Sequence, residues 1–167
     1  MVIVIMGVSG SGKTVVGKAL AARLCWTFED ADDWHSASDI YKMQHAIPLT
    51  DEDRLPWIQS LASSIKQWLA AQQNVVLACS ALRKSYRETL RKSIPRQRIQ
   101  FAYLKGSYEE IDARLRRRVG HFMPESLLRS QFQTLEEPDS SEALWVNIDQ
   151  SVLEIVSTIV KCFNLKR

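Results

Sequence analysis

Apolar residues along this chain follow two rhythms that alternate. Unbroken runs such as Val2-Ile3-Val4-Ile5-Met6 and Val75-Val76-Leu77-Ala78-Cys79 have the length of strands buried on both faces. Between the runs, apolar positions recur at the spacing of a helix with one buried stripe. Strand one covers about Val2–Met6. Helix one covers about Lys13–Leu24, with Val15, Val16, Ala19, Leu20 and Leu24 recurring along it. A short strand near Thr27–Glu29 runs into the polar cluster Asp30-Ala31-Asp32-Asp33-Trp34-His35. A helical segment near Asp39–His45 follows, and Pro48 breaks the chain. Thr50 and Asp53 form a capping box for the clearest helix, with Ile58, Leu61, Ala62, Ile65, Trp68 and Leu69 on its stripe. Trp57 and Trp68 read as core or interface residues rather than as a platform for bases.

The third strand is Val75–Cys79. Ser80 is expected to cap a basic helix carrying Arg83, Lys84, Arg87, Arg91 and Lys92, which Pro95 ends. Ile99–Leu104 is the fourth strand. Ser107 and Glu110 cap a helix with Arg114, Arg116, Arg117 and Arg118, terminated by Gly120. Pro124 opens a helix with Leu128, Phe132 and Leu135 on one face. Pro138–Glu142 is a turn, Leu144–Ile148 the fifth strand, and Val152–Phe163 a closing helix. Strand and helix alternate throughout, which predicts an α/β fold with a parallel sheet covered on both faces.

Composition narrows the class. With 167 residues, 46% of them hydrophobic, the chain reads as one domain with a substantial core. The net charge of +3 is no nucleic-acid signature. Cys25, Cys79 and Cys162 are odd in number and widely spaced, which suits a reducing compartment. No run has transmembrane length and the N-terminus lacks a signal-peptide pattern. A soluble cytoplasmic protein, bound to neither membrane nor nucleic acid, is expected.

The chemistry starts at Gly7-Val8-Ser9-Gly10-Ser11-Gly12-Lys13-Thr14, between strand one and helix one. It fits G-x-x-x-x-G-K-[ST], the phosphate-binding loop. Gly7 and Gly12 allow close backbone approach, and successive N–H groups form an anion nest. The helix adds unpaired donors and its positive dipole end. Lys13 reaches the β- and γ-phosphates of ATP, and Thr14 offers a hydroxyl to Mg²⁺. Strand three ends in Leu77-Ala78-Cys79-Ser80, with no Asp at the usual Walker B place. Asp30, Asp32 and Asp33 are the nearest carboxylates for the metal. Asp32 is the chosen one, both as metal ligand and as the group that orients an acceptor hydroxyl.

Arginines supply the remaining charge. Arg54 either clamps an anionic substrate or pairs with Asp51 or Asp53. Arg83, Arg87 and Arg91 share a helix face that is either binding or solvated. Arg114 and Arg118 read as a lid delivering cations to the phosphates. Lys13, Asp32 and Arg118 are therefore the catalytic candidates. His35 sits beside the acids, His45 reads as surface, and His121 lies just past the arginine helix.

These residues carry a resemblance. Gly7–Thr14, Asp30-Ala31-Asp32 with His35, Lys42-Met43, Pro48-Leu49, Asp51-Glu52-Asp53-Arg54-Leu55-Pro56-Trp57, Cys79-Ser80-Ala81-Leu82, Tyr86-Arg87, Leu90-Arg91, Gly120-His121-Phe122, Ser130-Gln131-Phe132 and Leu135-Glu136-Glu137-Pro138 together resemble the gluconokinases. These are P-loop kinases related to shikimate and adenylate kinases. The resemblance spans about Val4 to Asp149. It implies a three-layer P-loop kinase fold with a five-stranded parallel sheet and a helical lid at about 107–137. It implies MgATP and phosphorylation of D-gluconate at its 6-hydroxyl, commonly by a homodimer. Asp32 then matches the second acid of the family's Asp-Gly-Asp. His35 and Arg54 match positions near the sugar acid, and Arg114, Arg118 and His121 match the lid. Arg83 and Arg87 join the expected substrate-binding set. Four residues depart from the family: Ala31 for Gly, Ser36 for Pro, Asp39 for Asn and Ala46 for Gly. Asp39 adds a negative charge near the expected site of an anionic acceptor. A kinase for a related sugar acid or polyol, and a non-catalytic ATP-binding relative, remain the alternatives.

Overall fold

The computed structural model describes residues 1–45, 47–117 and 125–166. The elements run β1 (Val2–Met6), α1 (Lys13–Leu24), β2 (Thr27–Asp30), a 3₁₀ turn (Ala31–Trp34), α2 (Ala37–Gln44), α3 (Asp51–Ala70), β3 (Val75–Ala78), α4 (Lys84–Arg91), β4 (Ile99–Lys105), α5 (Tyr108–Arg117), α6 (Glu125–Thr134), β5 (Ala143–Asn147) and α7 (Val152–Cys162). The strands form one sheet in the order β2-β3-β1-β4-β5, and every pairing is parallel.

β1 is the centre of that sheet, and all five of its side chains are buried. Successive side chains on a strand point to opposite faces, so β1 feeds two cores. Val2, Val4 and Met6 pack with Leu77, Phe101 and the α3 stripe of Ile58, Leu61 and Ile65. Ile3 and Ile5 pack with Val76, Leu104, Leu20 of α1 and Ile159 of α7. The result is three layers, helix, sheet and helix, as the alternating pattern requires. Among the described residues, no helix is long and apolar enough to cross a membrane.

Most boundaries agree with the sequence pattern to within a residue or two. The capping boxes at Thr50 and Asp53 and at Ser107 and Glu110 are present. α2 starts at Ala37, earlier than its apolar pattern suggests, because Ser36 and Asp39 form a further capping box. The expected cap of α4 is wrong. Ser80 belongs to the loop after β3, and the helix begins at Lys84 with Arg83 at the N-cap and no local side-chain cap. The N–H of Lys84 instead donates to Glu136 Oε2 at 2.7 Å, from 52 residues away. Gly120 and Pro124, the expected helix stop and start, lie outside the described residues.

The basic face of α4 also differs from expectation. Arg87 is 1% exposed, the largest fully buried side chain among the described residues. Its Nη1 donates to the carbonyls of Ala81, Leu82 and Glu136, and its Nη2 meets Glu142 Oε2 at 3.3 Å. Arg91 lies over the Phe101 ring and donates to the Glu142 carbonyl. These arginines staple the loop after β3 to the segment before β5. Arg87→Met leaves Glu142 and three carbonyls without their donor, a loss of roughly 3 kcal/mol. We expect the melting temperature to fall by roughly 6–12 °C for a chain of this size. A normal melt with a raised acceptor KM would return Arg87 to the substrate site.

Candidate active site

The loop between β1 and α1 is set by what surrounds it. Gly7 N–H donates to the Ser80 carbonyl at 3.3 Å, tying the loop to the end of β3. Gly10 has φ +82°, and a Cβ there would lie 2.8 Å from Leu115 Cγ of α5. Only glycine suits that position, on backbone and space alike. Gly12 is the N-cap of α1 at φ +99°, so Lys13 and Thr14 stand in the first turn, where backbone donors have no partner within the helix. These are the elements of an anion cradle.

Lys13 Nζ donates to the Val8 carbonyl at 3.1 Å and lines a cavity of about 200 Å³. Burial pulls the Lys13 pKa below its usual value, against the Asp32 and Asp30 carboxylates, which favour the charged form. The carboxylate missing from the end of β3 comes from its neighbour. Asp30, the last residue of β2 and level with Ala78, accepts from Thr14 Oγ1 at 2.9 Å through Oδ2. Its Oδ1 accepts the Asp32 N–H at 3.2 Å, which sends Asp32 to the cavity side. Thr14 is thus brought to Asp30, not to the expected Asp32. At the Walker B place, burial pushes the Cys79 thiol up to about 12, so it stays neutral and is no substitute for an acid. Among the described residues no cluster of three or more metal-ligating side chains occurs. Thr14 and Asp30 still supply a hydroxyl and a carboxylate, the hard oxygen donors that Mg²⁺ takes alongside phosphate oxygens.

The cavity runs from Lys13 outward. Asp32, His35, Arg54, Tyr86 and Gln131 are among the polar groups on its wall, and Leu49, Trp57 and Leu127 among the apolar ones. Trp57 is core, as expected, but it also builds the site. Its Nε1 donates to the Ala31 carbonyl at 2.8 Å, and its ring stacks on His35 at 4.6 Å, nearly parallel. Gln131 carried no role in the sequence beyond its place in the Ser130-Gln131-Phe132 motif. Its Oε1 accepts the Ser9 N–H at 2.6 Å, so α6 touches the phosphate loop directly.

The expected residues therefore divide. Lys13, Asp32, His35 and Arg54 share one cavity. Arg83 stands beside it, with Nε 3.3 Å from Asp51 Oδ1. Arg87 is enclosed in the core, as described above, and is not on the cavity wall. Arg114 donates to the Ile148 carbonyl just past β5 and is not on the cavity wall. His45 is exposed and stacks on Tyr41. Arg118 and His121 lie outside the described residues.

Comparison with known proteins decides the family. A family model described as an AAA domain matches residues 2–138. The thermosensitive gluconokinase of Escherichia coli K12 is 48% identical over 87% of this chain and 77% of its own length. The gluconokinase of Arabidopsis thaliana is 43% identical over 96% of this chain and 90% of its own. The crystal structure of a gluconokinase from Sinorhizobium meliloti superposes with a TM-score of 0.87 at 42% identity, covering 97% of this chain and 90% of that one.

The chain belongs to the gluconokinase family.

Its departures from the gluconokinase pattern now have physical readings. Ala31 is fully buried and its methyl packs in the core shared with Trp57, away from the cavity wall. Ser36 and Asp39 are one coupled change. Asp39 accepts the Ser36 N–H at 3.3 Å, a donor that proline lacks, and Ser36 Oγ accepts the Asp39 N–H at 3.1 Å. The Asp39 carboxylate is buried and lies 3.6 Å from His35 Nδ1. The carboxylate is turned to the helix end and the histidine, and Asp39 is not on the cavity wall. Ala46 lies outside the described residues.

Lys13 gives a test with a sign. A lysine whose pKa falls on folding destabilises the fold while it is charged, and the penalty fades as pH rises through the folded pKa. Lys13→Met should therefore cut kcat about a hundred- to a thousandfold without lowering the melting temperature at pH 7. Any stability advantage of the variant should shrink with rising pH in a melt series. Retained turnover would remove the phosphate loop from the mechanism.

Proposed function

We propose that this protein phosphorylates D-gluconate with ATP, giving 6-phospho-D-gluconate and ADP. The observation that carries this reading is the joining of the phosphate loop to a cavity that has, among the described residues, one carboxylate and one arginine, Asp32 and Arg54, on its wall, in a chain 40–48% identical to proteins named gluconokinase. ATP phosphates lie on the loop amides and Lys13. The acceptor's carboxylate end lies toward Arg54, which leaves its far hydroxyl toward Asp32 and Lys13. The 6-hydroxyl oxygen forms the new bond to the γ-phosphorus. The bond from that phosphorus to the β,γ-bridging oxygen breaks, and the hydroxyl proton passes to Asp32. Lys13 and the α1 N-terminus hold the charge that develops on the transferred group. Thr14 and Asp30 would hold Mg²⁺, which supplies charge neutralisation at the phosphates when bound. α6 covers the loop through Gln131 and keeps water from acting as acceptor. The reading carries with it a cytoplasmic homodimer with Arg118 of the lid at the phosphates.

Two measurements test it. Release of ADP with MgATP is followed against D-gluconate, L-idonate, other aldonates, sorbitol, shikimate and water alone. Selective turnover of D-gluconate is expected; turnover of a different acceptor keeps the kinase and moves its substrate, and silence on all with ATP bound sinks the enzyme reading. Asp32→Asn should lower kcat by about 10²–10⁴ with little change in ATP affinity. A change only in the Mg²⁺ requirement would make Asp32 a metal ligand and not the base.

A further inference from the structure

One carboxylate oxygen beside the cavity accepts one hydrogen bond and faces two guanidinium groups, from two helices. Asp51 Oδ1 accepts the Tyr86 hydroxyl at 2.5 Å. The same oxygen lies 3.3 Å from Arg83 Nε and 4.0 Å from Arg54 Nη1. Asp51 and Arg54 belong to the first turns of α3, while Arg83 and Tyr86 open α4. The Arg54 guanidinium also acts on Tyr86, pulling its pKa down against burial and Asp51. Of these four side chains, Arg54 and Tyr86 are on the cavity wall and Asp51 is not. Burial, and then the bond to Asp51, raise the Tyr86 pKa, so the phenol stays neutral and keeps its proton on Asp51. The cluster holds two guanidinium charges against one carboxylate. It therefore has one positive charge to spare, the complement of a single carboxylate.

We propose that Asp51 is a positioning residue for the carboxylate of the acceptor. It fixes Arg54 and Tyr86 as a seat formed before the ligand arrives, with Arg83 as the second cation. This rests on the sugar-acid reading of the cavity. An arginine with no anchor must lose rotamer freedom when it clamps a ligand, and Asp51 removes that cost in advance. Bare electrostatics gives the opposite sign. Asp51 is an anion near an anionic ligand, so neutralising it should tighten binding. Its side chain is 51% exposed, which screens that repulsion while the hydrogen bond from Tyr86 persists. Asp51 also stands at the positive end of α3; a purely structural role there would move stability and leave the acceptor KM alone.

The two signs make the experiment decisive. Asp51→Asn and Tyr86→Phe are assayed with D-gluconate and ATP beside the unaltered protein, with melts to confirm folding. Asp51→Asn should raise the gluconate KM about tenfold, with the ATP KM unchanged and kcat altered much less. Tyr86→Phe, which keeps the charge and deletes the bond, should raise it in the same direction. A neutral polyol competitor should bind all three proteins alike. A gluconate KM that falls or stays level in Asp51→Asn overturns the proposal, as does an equal weakening of the neutral competitor. If Asp51→Asn does not fold, Asp51→Ser is measured in its place by the same criteria. Absence of gluconate turnover by the unaltered protein overturns the acceptor reading itself, a result distinct from failure of the seat.

Discussion

The burial of β1 between β3 and β4 is the constraint from which the site follows. Its five side chains are buried and feed both cores, so its C-terminal end cannot shift. α1 is packed against the same sheet through Val16 and Leu20. The six residues between a fixed strand end and a fixed helix start must turn with the amides inward. Gly10, at φ +82° with Leu115 where a Cβ would stand, fits that turn as no other residue would. Lys13 is then carried into a partly desolvated place, where burial lowers its pKa and nearby carboxylates oppose that fall. A cation held this way keeps more of its field, because little water screens it.

The acidic cluster works because Asp30 and Asp32 are separated by one backbone turn. Asp30 turns to Thr14 with one oxygen and takes the Asp32 N–H with the other. That bond starts the 3₁₀ turn and sends Asp32 to the cavity. The carboxylate that strand three lacks thus comes from strand two, which lies next to it in register. Behind the turn, the Trp57 indole bonds the Ala31 carbonyl and stacks on His35. One core tryptophan therefore fixes the floor of the site.

Five arginines of one chain meet five environments. Arg54 lines the cavity, Arg83 pairs with Asp51, Arg87 is enclosed with Glu142 and three carbonyls, Arg91 lies over Phe101, and Arg114 meets Ile148. Helical spacing placed Arg87 and Arg91 on one face, and they do share it. The spacing could not say that this face looks inward, because nothing local distinguishes a solvated arginine from one with a buried acceptor set.

The layered α/β fold, the phosphate loop and most helix ends were determined by the sequence itself, because each rests on near neighbours. Hydrophobic runs, periodicity, glycines at a turn and capping pairs three apart all act over a few residues. The residues themselves marked Asp32, His35 and Arg54 as candidates, and the family pattern placed them on the acceptor side. Only the tertiary structure decided which residues meet across long separations. Glu136 caps α4 from 52 residues away, Glu142 neutralises Arg87 from 55, and Gln131 reaches Ser9 from 122. It also decided that Asp30 rather than Asp32 faces Thr14, and that Ser36 and Asp39 are one capping device. Such contacts depend on how packed elements are registered in space, and that registration is a property of the whole core rather than of any local run of residues.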